Sequence, residues 1–290
     1  MTIHNVYYND EYTACDYAFD TTRKSAVLAA RLRQDENVTV CDPSESKATA
    51  VELINYLHES DYIRAVINGD PLSLAQSQGF EWDPQIATMA IAHSSGLVAA
   101  VGEVMSGKSS FAGSLSSGLH HAQRGRGNGF CTFNGLAVAA THGLELGAER
   151  VLVLDFDAHC GGGTRSMLPF NVVQIDVSTS MFDVWGTENP SDSLEYADTT
   201  NYIEKISEAL CLATEAGSFD LVLYNAGMDP ANSRVSKEDL AQREQMVAEW
   251  SSENGHRVVY ALAGGYTGVS LDMDGLVDLH QLTVDAFSLV

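Results

Sequence analysis

The chain has 290 residues, 45% of them hydrophobic, and carries 39 acidic against 16 basic side chains for a net charge of −23. That length can bury the core of one large α/β domain over 1–290, and the acidity speaks against a nucleic-acid face, which needs clustered Lys and Arg. Five widely spaced cysteines without a CxxC pair argue against a disulfide framework and for a reducing, cytoplasmic setting; neither a secretory leader nor an apolar run of the ~18–20 residues that span a membrane is expected.

In chain order, helical periodicity predicts helices over Ser25–Gln34 and Lys47–His58, then a long Ala-rich helix over Asp83–Met105 with Pro84 near its start. Asn134–Leu146 reads as a further helix, ended by Gly147. Buried strands are predicted at Val151–Asp155, Val172–Asp176, Leu221–Tyr224 and Val258–Leu262. Helices over Tyr202–Ala216 and Ser236–Ser252 separate the later ones, the second opened by a Ser236–Asp239 start box, and a last helix covers Val269–Phe287. Alternating helices and apolar strands imply a mainly parallel sheet flanked by helices on both faces.

Each strand ends in polar residues, and in open α/β sheets ligands bind outside the carboxyl ends of the strands. Asp155, Asp157 and His159 follow the first strand at alternate positions, so an extended chain puts them on one face. Asp176 and Ser178 end the second, Asn225-Ala-Gly-Met-Asp229 follows the third, and Gly264-Gly-Tyr266 follows the fourth. Asp157, His159 and Asp229 make a two-oxygen, one-nitrogen set, the kind that holds a catalytic zinc while leaving a coordination place open. Upstream lie Gly118-Leu-His120-His121-Ala122, whose histidines suit proton transfer near neutral pH, and Gly129-Phe130-Cys131-Thr132-Phe133-Asn134, a tight turn feeding a helix with Phe130 placed to wall a pocket. Tyr266 can donate a hydrogen bond to a developing oxyanion.

Together these strings resemble the histone deacetylase and acetylpolyamine amidohydrolase family, which has the arginase/deacetylase fold. Its pattern is Gly-x-His-His-Ala, Gly-Phe-Cys-x-x-Asn, Asp-x-Asp-x-His-His-Gly, Ala-Gly-x-Asp and Gly-Gly-Tyr, matched here in that order from His120 to Tyr266. Phe19-Asp20-Thr21 and His58-Glu59-Ser60-Asp61-Tyr62 are compatible with its N-terminal region. The resemblance implies an amidohydrolase that removes an acyl group, acetyl first of all, from an acyl-lysine, an acylated polyamine or a metabolite amide. It implies zinc, or ferrous iron in its place, on Asp157, His159 and Asp229. It makes His121 the general base, His120 its neighbour oriented by Asp155, and Tyr266 the group that polarises the carbonyl. Gly129 and Phe130 would line the acyl-amine channel with Trp185 as a second wall, and either Glu81 or Asp83 would be a rim carboxylate. A structural potassium ion would lie by Asp155, with main-chain oxygens near Asp157, His159, Asp176 and Val177.

This chain departs from the pattern at Cys160 and Gly162. Gly162 stands where the family has the Asp or Asn that orients the second histidine, which predicts a freer His121 with a lowered pKa, or another orienting group. Cys160 is out of register with the ligands and reads as packing. Two other functions follow from these residues. Asp157-Ala-His159 is also similar to the Asp-Ala-His of dimanganese ureohydrolases, and the loss at Gly162 would fit a sensor that binds acyl-amines without turnover. Expected partners are small substrates, with neither nucleic acid nor membrane, and the oligomeric state stays open.

Overall fold

The computed structural model describes residues 4–15, 20–187, 189–269 and 271–290; Phe19 of the N-terminal string lies outside them. Among the described residues the strands are β1 (His4–Tyr7), β2 (Val38–Cys41), β3 (Phe111–Ser114), β4 (Val151–Asp155), β5 (Val172–Ser178), β6 (Ser193–Tyr196), β7 (Leu221–Asn225) and β8 (Val258–Ala261). They form one sheet in the order β2-β1-β3-β8-β7-β4-β5-β6, parallel at every pairing. The helices are α1 (Asp20–Leu32), α2 (Lys47–Leu57), α3 (Ser60–Asn68), α4 (Leu72–Ala75), α5 (Ile86–Met105), α6 (Gly135–Glu145), α7 (Gly162–Arg165), α8 (Tyr202–Glu215), α9 (Lys237–Glu253) and α10 (Met273–Ser288).

A parallel strand needs both faces covered, and alternate side chains serve the two faces. Leu152 and Leu154 of β4 join Ile206 of α8, Leu240 of α9 and Leu276 of α10 in one core. Val151 and Val153 join Leu53 of α2, Leu97 of α5 and Leu136 of α6 in the other. The continuous apolar runs of β4, β5, β7 and β8 are therefore buried throughout. The 20 residues of α5 correct one expectation: by length and composition it could cross a membrane, but 78% of that stretch is buried inside the protein, where it serves as a core helix.

Strand order decides where chemistry collects. The chain leaves β3, skips two places to β4, runs outward through β5 and β6, and returns to lay β7 and β8 in the gap. The loops after β3, β8, β7 and β4 thus emerge from four neighbouring strands at one sheet edge. This crossing point is where an open α/β sheet forms its crevice.

Candidate active site

The β4 and β7 loops bring Asp157, His159 and Asp229 together, with one ligand atom from each lying within 4.8 Å of the others. His159 Nδ1 is 3.1 Å from both Asp157 Oδ1 and Asp229 Oδ2. Burial raises the Asp229 carboxyl above its usual range, and the Asp157 charge raises it further. Burial opposes ionisation of Asp157 too, but hydrogen bonds from His159 and the nearby His120 hold it below that range. His159 rises to about 10: burial works against its charge, and its two carboxylate partners overcome it. Two buried carboxylates around one imidazole are short of positive charge, so the donor set fits a divalent cation. Two glycines keep the cradle open. An added Cβ would stand 2.2 Å from Asp157 Oδ2 at Gly227, and 2.6 Å from Asp229 Oδ1 at Gly264.

The β3 loop supplies the histidine pair, with ring centroids 3.9 Å apart. Asn134, predicted to start a helix, fixes this loop: its Oδ1 accepts from Ala137 N at the head of α6, and its Nδ2 donates to Ala122 O at 2.9 Å. His120 Nδ1 lies 2.8 Å from Asp155 Oδ2, as expected, and Asn225 Nδ2 donates to the other oxygen of that carboxylate. Burial alone would lower the His120 pKa, but Asp155 carries it up to about 9. His121 is not left without a carboxylate. Its Nδ1 lies 2.8 Å from Asp183 Oδ2, a residue that no motif contained. The His121 pKa still falls to about 4, through burial and the His120 charge, while Asp183 acts in the opposite sense.

These groups line a cavity of about 230 Å³, whose walls include Phe80, Gly129, Phe130, Phe182 and Tyr266. Gly129 must be a glycine, since at φ +48° a Cβ would meet His121 Cδ2 at 2.4 Å. Phe130, also left-handed at φ +62°, packs its ring 5.4 Å from Phe80. Tyr266 follows two left-handed glycines, and its backbone exchanges hydrogen bonds with the Asn232 side chain. Burial, with Asp229 and Asp157 nearby, raises its phenol pKa, so the hydroxyl stays protonated.

Trp185 is not the second wall. Its indole Nε1 donates to Asp176 Oδ2 at 2.7 Å, and Phe182 takes the wall position with its ring 4.9 Å from His121. Asp83 accepts from Gln85 N near the head of α5 and from Cys15 Sγ, and neither it nor Glu81 lines the cavity. Cys160 turns its thiol to Ser180 O, consistent with packing. Asp155 and Asp176 are fully buried and directly opposite in the β4–β5 register. Burial and the Asp155 charge raise the Asp176 pKa to about 8, and Asn225 Oδ1 beside them has no hydrogen-bond partner among the described residues. Such a buried acidic pair fits a cation.

Two further residues of the site lie outside the sequence motifs. Phe182 sits in a loop with no pattern. Lys24 is fully buried in α1, and its Nζ donates to Gly264 O at 2.6 Å, fixing the loop behind Asp157 and Asp229. Its spacing from Leu28 and Leu32 puts it on the buried face of that helix, a signal present in the sequence.

A model of the histone deacetylase domain matches residues 17–171. The chain belongs to the histone deacetylase family. An uncharacterised protein of Picosynechococcus sp. is 26% identical to this family member over 79% of each chain. The acetoin utilization protein AcuC of Bacillus subtilis is 37% identical, over 39% of this chain and 32% of its own length. The crystal structure of an acetylpolyamine aminohydrolase from Burkholderia pseudomallei has the same fold, with a TM-score of 0.80 over 98% of each chain at 15% identity.

Proposed function

We propose that this chain is a metal-dependent amidohydrolase that removes an acyl group, acetyl in the first instance, from an amine such as an acyl-lysine, an acylated polyamine or a metabolite amide. The observation that carries this is one cavity lined by Asp157, His159 and Asp229 together with His120, His121 and Tyr266. Family membership and the aminohydrolase fold agree with it. Zinc, or ferrous iron in its place, would be held by Asp157, His159 and Asp229, supplying Lewis acidity toward a carbonyl oxygen and acidifying a water molecule.

The chain's own groups have distinct tasks. Phe130 and Phe182 hold the methylene part of the amine and exclude water. Tyr266 donates its hydroxyl proton in a hydrogen bond to the carbonyl oxygen as negative charge develops there. His121, neutral at working pH, takes the proton of the attacking water at Nε2 and later delivers a proton to the departing amine. His120, kept charged by Asp155, adds positive field beside it. Asp155 and the main-chain oxygens of Asp157, His159, Asp176 and Val177 would hold a structural potassium ion. No carboxylate is contributed by Cys160, Gly161 or Gly162 for a two-manganese centre, and Asp183 removes the reason for reading the site as a sensor that lost turnover.

The test is a panel of acylated amines and acyl-lysine peptides given to zinc-loaded protein, with a chelated control. Release of free amine that stops on chelation is expected; binding without hydrolysis across the panel contradicts the proposal.

A further inference from the structure

Gly162 and Asp183 are two halves of one arrangement. The chain beyond β5 is pinned against the β4 loop, with Thr179 N and Ser180 N donating to Ala158 O and Cys160 N donating to Phe182 O at 3.0 Å. At Asp183 the backbone turns left-handed, φ +61°, which is uncommon for a residue with a side chain. That turn drives the carboxylate inward, where Oδ2 lies 2.8 Å from His121 Nδ1 and accepts from Gly163 N at 3.0 Å. Only 9% of the Asp183 side chain is exposed, so this carboxylate is fixed within the site rather than resting on its surface. A Cβ at position 162 would lie 2.3 Å from Asp183 O and 2.9 Å from Asp183 Oδ1. Any side chain at 162 therefore evicts the turn that delivers Asp183.

We infer that Asp183 is the positioning residue of His121, brought in from the β5–β6 loop through the space that the missing side chain of Gly162 leaves. An Nδ1–H held by a carboxylate fixes the tautomer and leaves the Nε2 lone pair facing the cavity, the form a general base needs. The same loop carries Phe182, so the wall that meets substrate and the carboxylate that aims the base move as one piece. The assignment rests on the role given to His121 above and goes beyond it by saying what orients that ring.

The experiment compares metal-loaded wild-type protein with Asp183→Gly, Asp183→Asn, Gly162→Ala and the Gly162→Ala/Asp183→Gly double variant. Glycine suits the left-handed turn, so Asp183→Gly removes the carboxylate without straining the fold. Two readouts are taken: kcat and KM on an acyl-lysine peptide, and the downfield imidazole N–H proton resonance of His121, assigned by its loss in His121→Gln. Asp183→Gly should lose the resonance and about 10–100-fold in kcat, with KM little changed. Asp183→Asn, which keeps an acceptor oxygen, should restore the resonance and part of kcat. Gly162→Ala should repeat the glycine variant's loss of resonance and kcat and, because Phe182 shifts with the turn, raise KM as well; the double variant should lose little further kcat beyond Gly162→Ala because both changes break one contact. An Asp183→Gly protein with unchanged kcat and resonance overturns the inference, as does a fall in kcat with the resonance intact, or full additivity in the double variant. If the wild type turns over no acyl-amine, the functional proposal fails by itself, and the resonance still decides what holds His121.

Discussion

Gly264→Ala adds one methyl group at the point where the ligand loops meet. The added carbon would stand 2.6 Å from Asp229 Oδ1 and 2.7 Å from Asp157 Oδ2. Neither oxygen can retreat freely. Asp229 Oδ1 accepts from Gly265 N, and the Asp157 carboxylate accepts from His159 N through its other oxygen. The backbone at Gly264 is left-handed, φ +67°, which costs an alanine roughly 1–2 kcal/mol. Strain therefore accounts for a modest loss of stability, and displaced carboxylates should weaken metal binding by about 10–100-fold, the range for changes just outside a ligand set. Gly107→Ala separates the two effects, because position 107 is left-handed at φ +76° with open space around it. A competition titration of zinc against a chelator, beside thermal unfolding of the metal-free proteins, measures both. Gly107→Ala should lose only the cost of the left-handed backbone, Gly264→Ala should lose more, and only Gly264→Ala should lose affinity. Wild-type zinc affinity in Gly264→Ala would refute the reasoning.

Three other outcomes are expected. Tyr266→Phe should lower kcat by about 10²–10³-fold, the effect of removing one oxyanion donor, with metal content unchanged; equal turnover removes Tyr266 from the chemistry. Phe182→Ala should raise KM about tenfold, from ~1.5 kcal/mol of lost apolar contact, whereas Trp185→Phe should leave KM alone. His58 carries an acid-stability prediction. Its Nδ1–H faces Gln123 O and its Nε2 accepts from Asn134 N, so the ring must be neutral, and burial lowers its pKa from 6.5 to about 4. As pH drops from 6.5 toward 4, the unfolded chain gains a proton that folded His58 refuses, so stability is full above the upper value and falls by about 3 kcal/mol across the window. Denaturant unfolding at stepped pH reads this, and a His58→Gln protein with the same pH slope would contradict it.

The residues proposed to hold the metal and the histidine pair were legible because strand ends and short polar strings impose local order. Asp157 and His159 lie within four residues of the end of β4, where the chain bends rather than continuing as a strand, and Asp229 follows a strand that the topology sets beside β4. The buried strands β4, β5, β7 and β8, rich in apolar residues, were equally plain. The strands β1, β2, β3 and β6 were missed although β8 is no longer than they are: β8 reads Val-Val-Tyr-Ala, an unbroken apolar run, whereas His-Asn-Val-Tyr, Val-Thr-Val-Cys, Phe-Ala-Gly-Ser and Ser-Leu-Glu-Tyr are interrupted by polar or small residues. Helix α3 was missed for its nine-residue length. Trp185 and Phe182 exchanged roles because the loop after β5 turns at Asp183, and a left-handed aspartate leaves no trace in composition. The absent side chain at Gly162 showed that His121 needed another partner, but the residue that fills the role lies 62 positions from the histidine and only folding brings it near.

Asp157, His159 and Asp229 are proposed to hold one divalent ion jointly. Diffraction from crystals of zinc-loaded protein, recorded on both sides of the zinc absorption edge, tests this most directly. A single anomalous peak bounded by those three side chains is predicted. A peak elsewhere, or none from protein that retains stoichiometric zinc in solution, would contradict it.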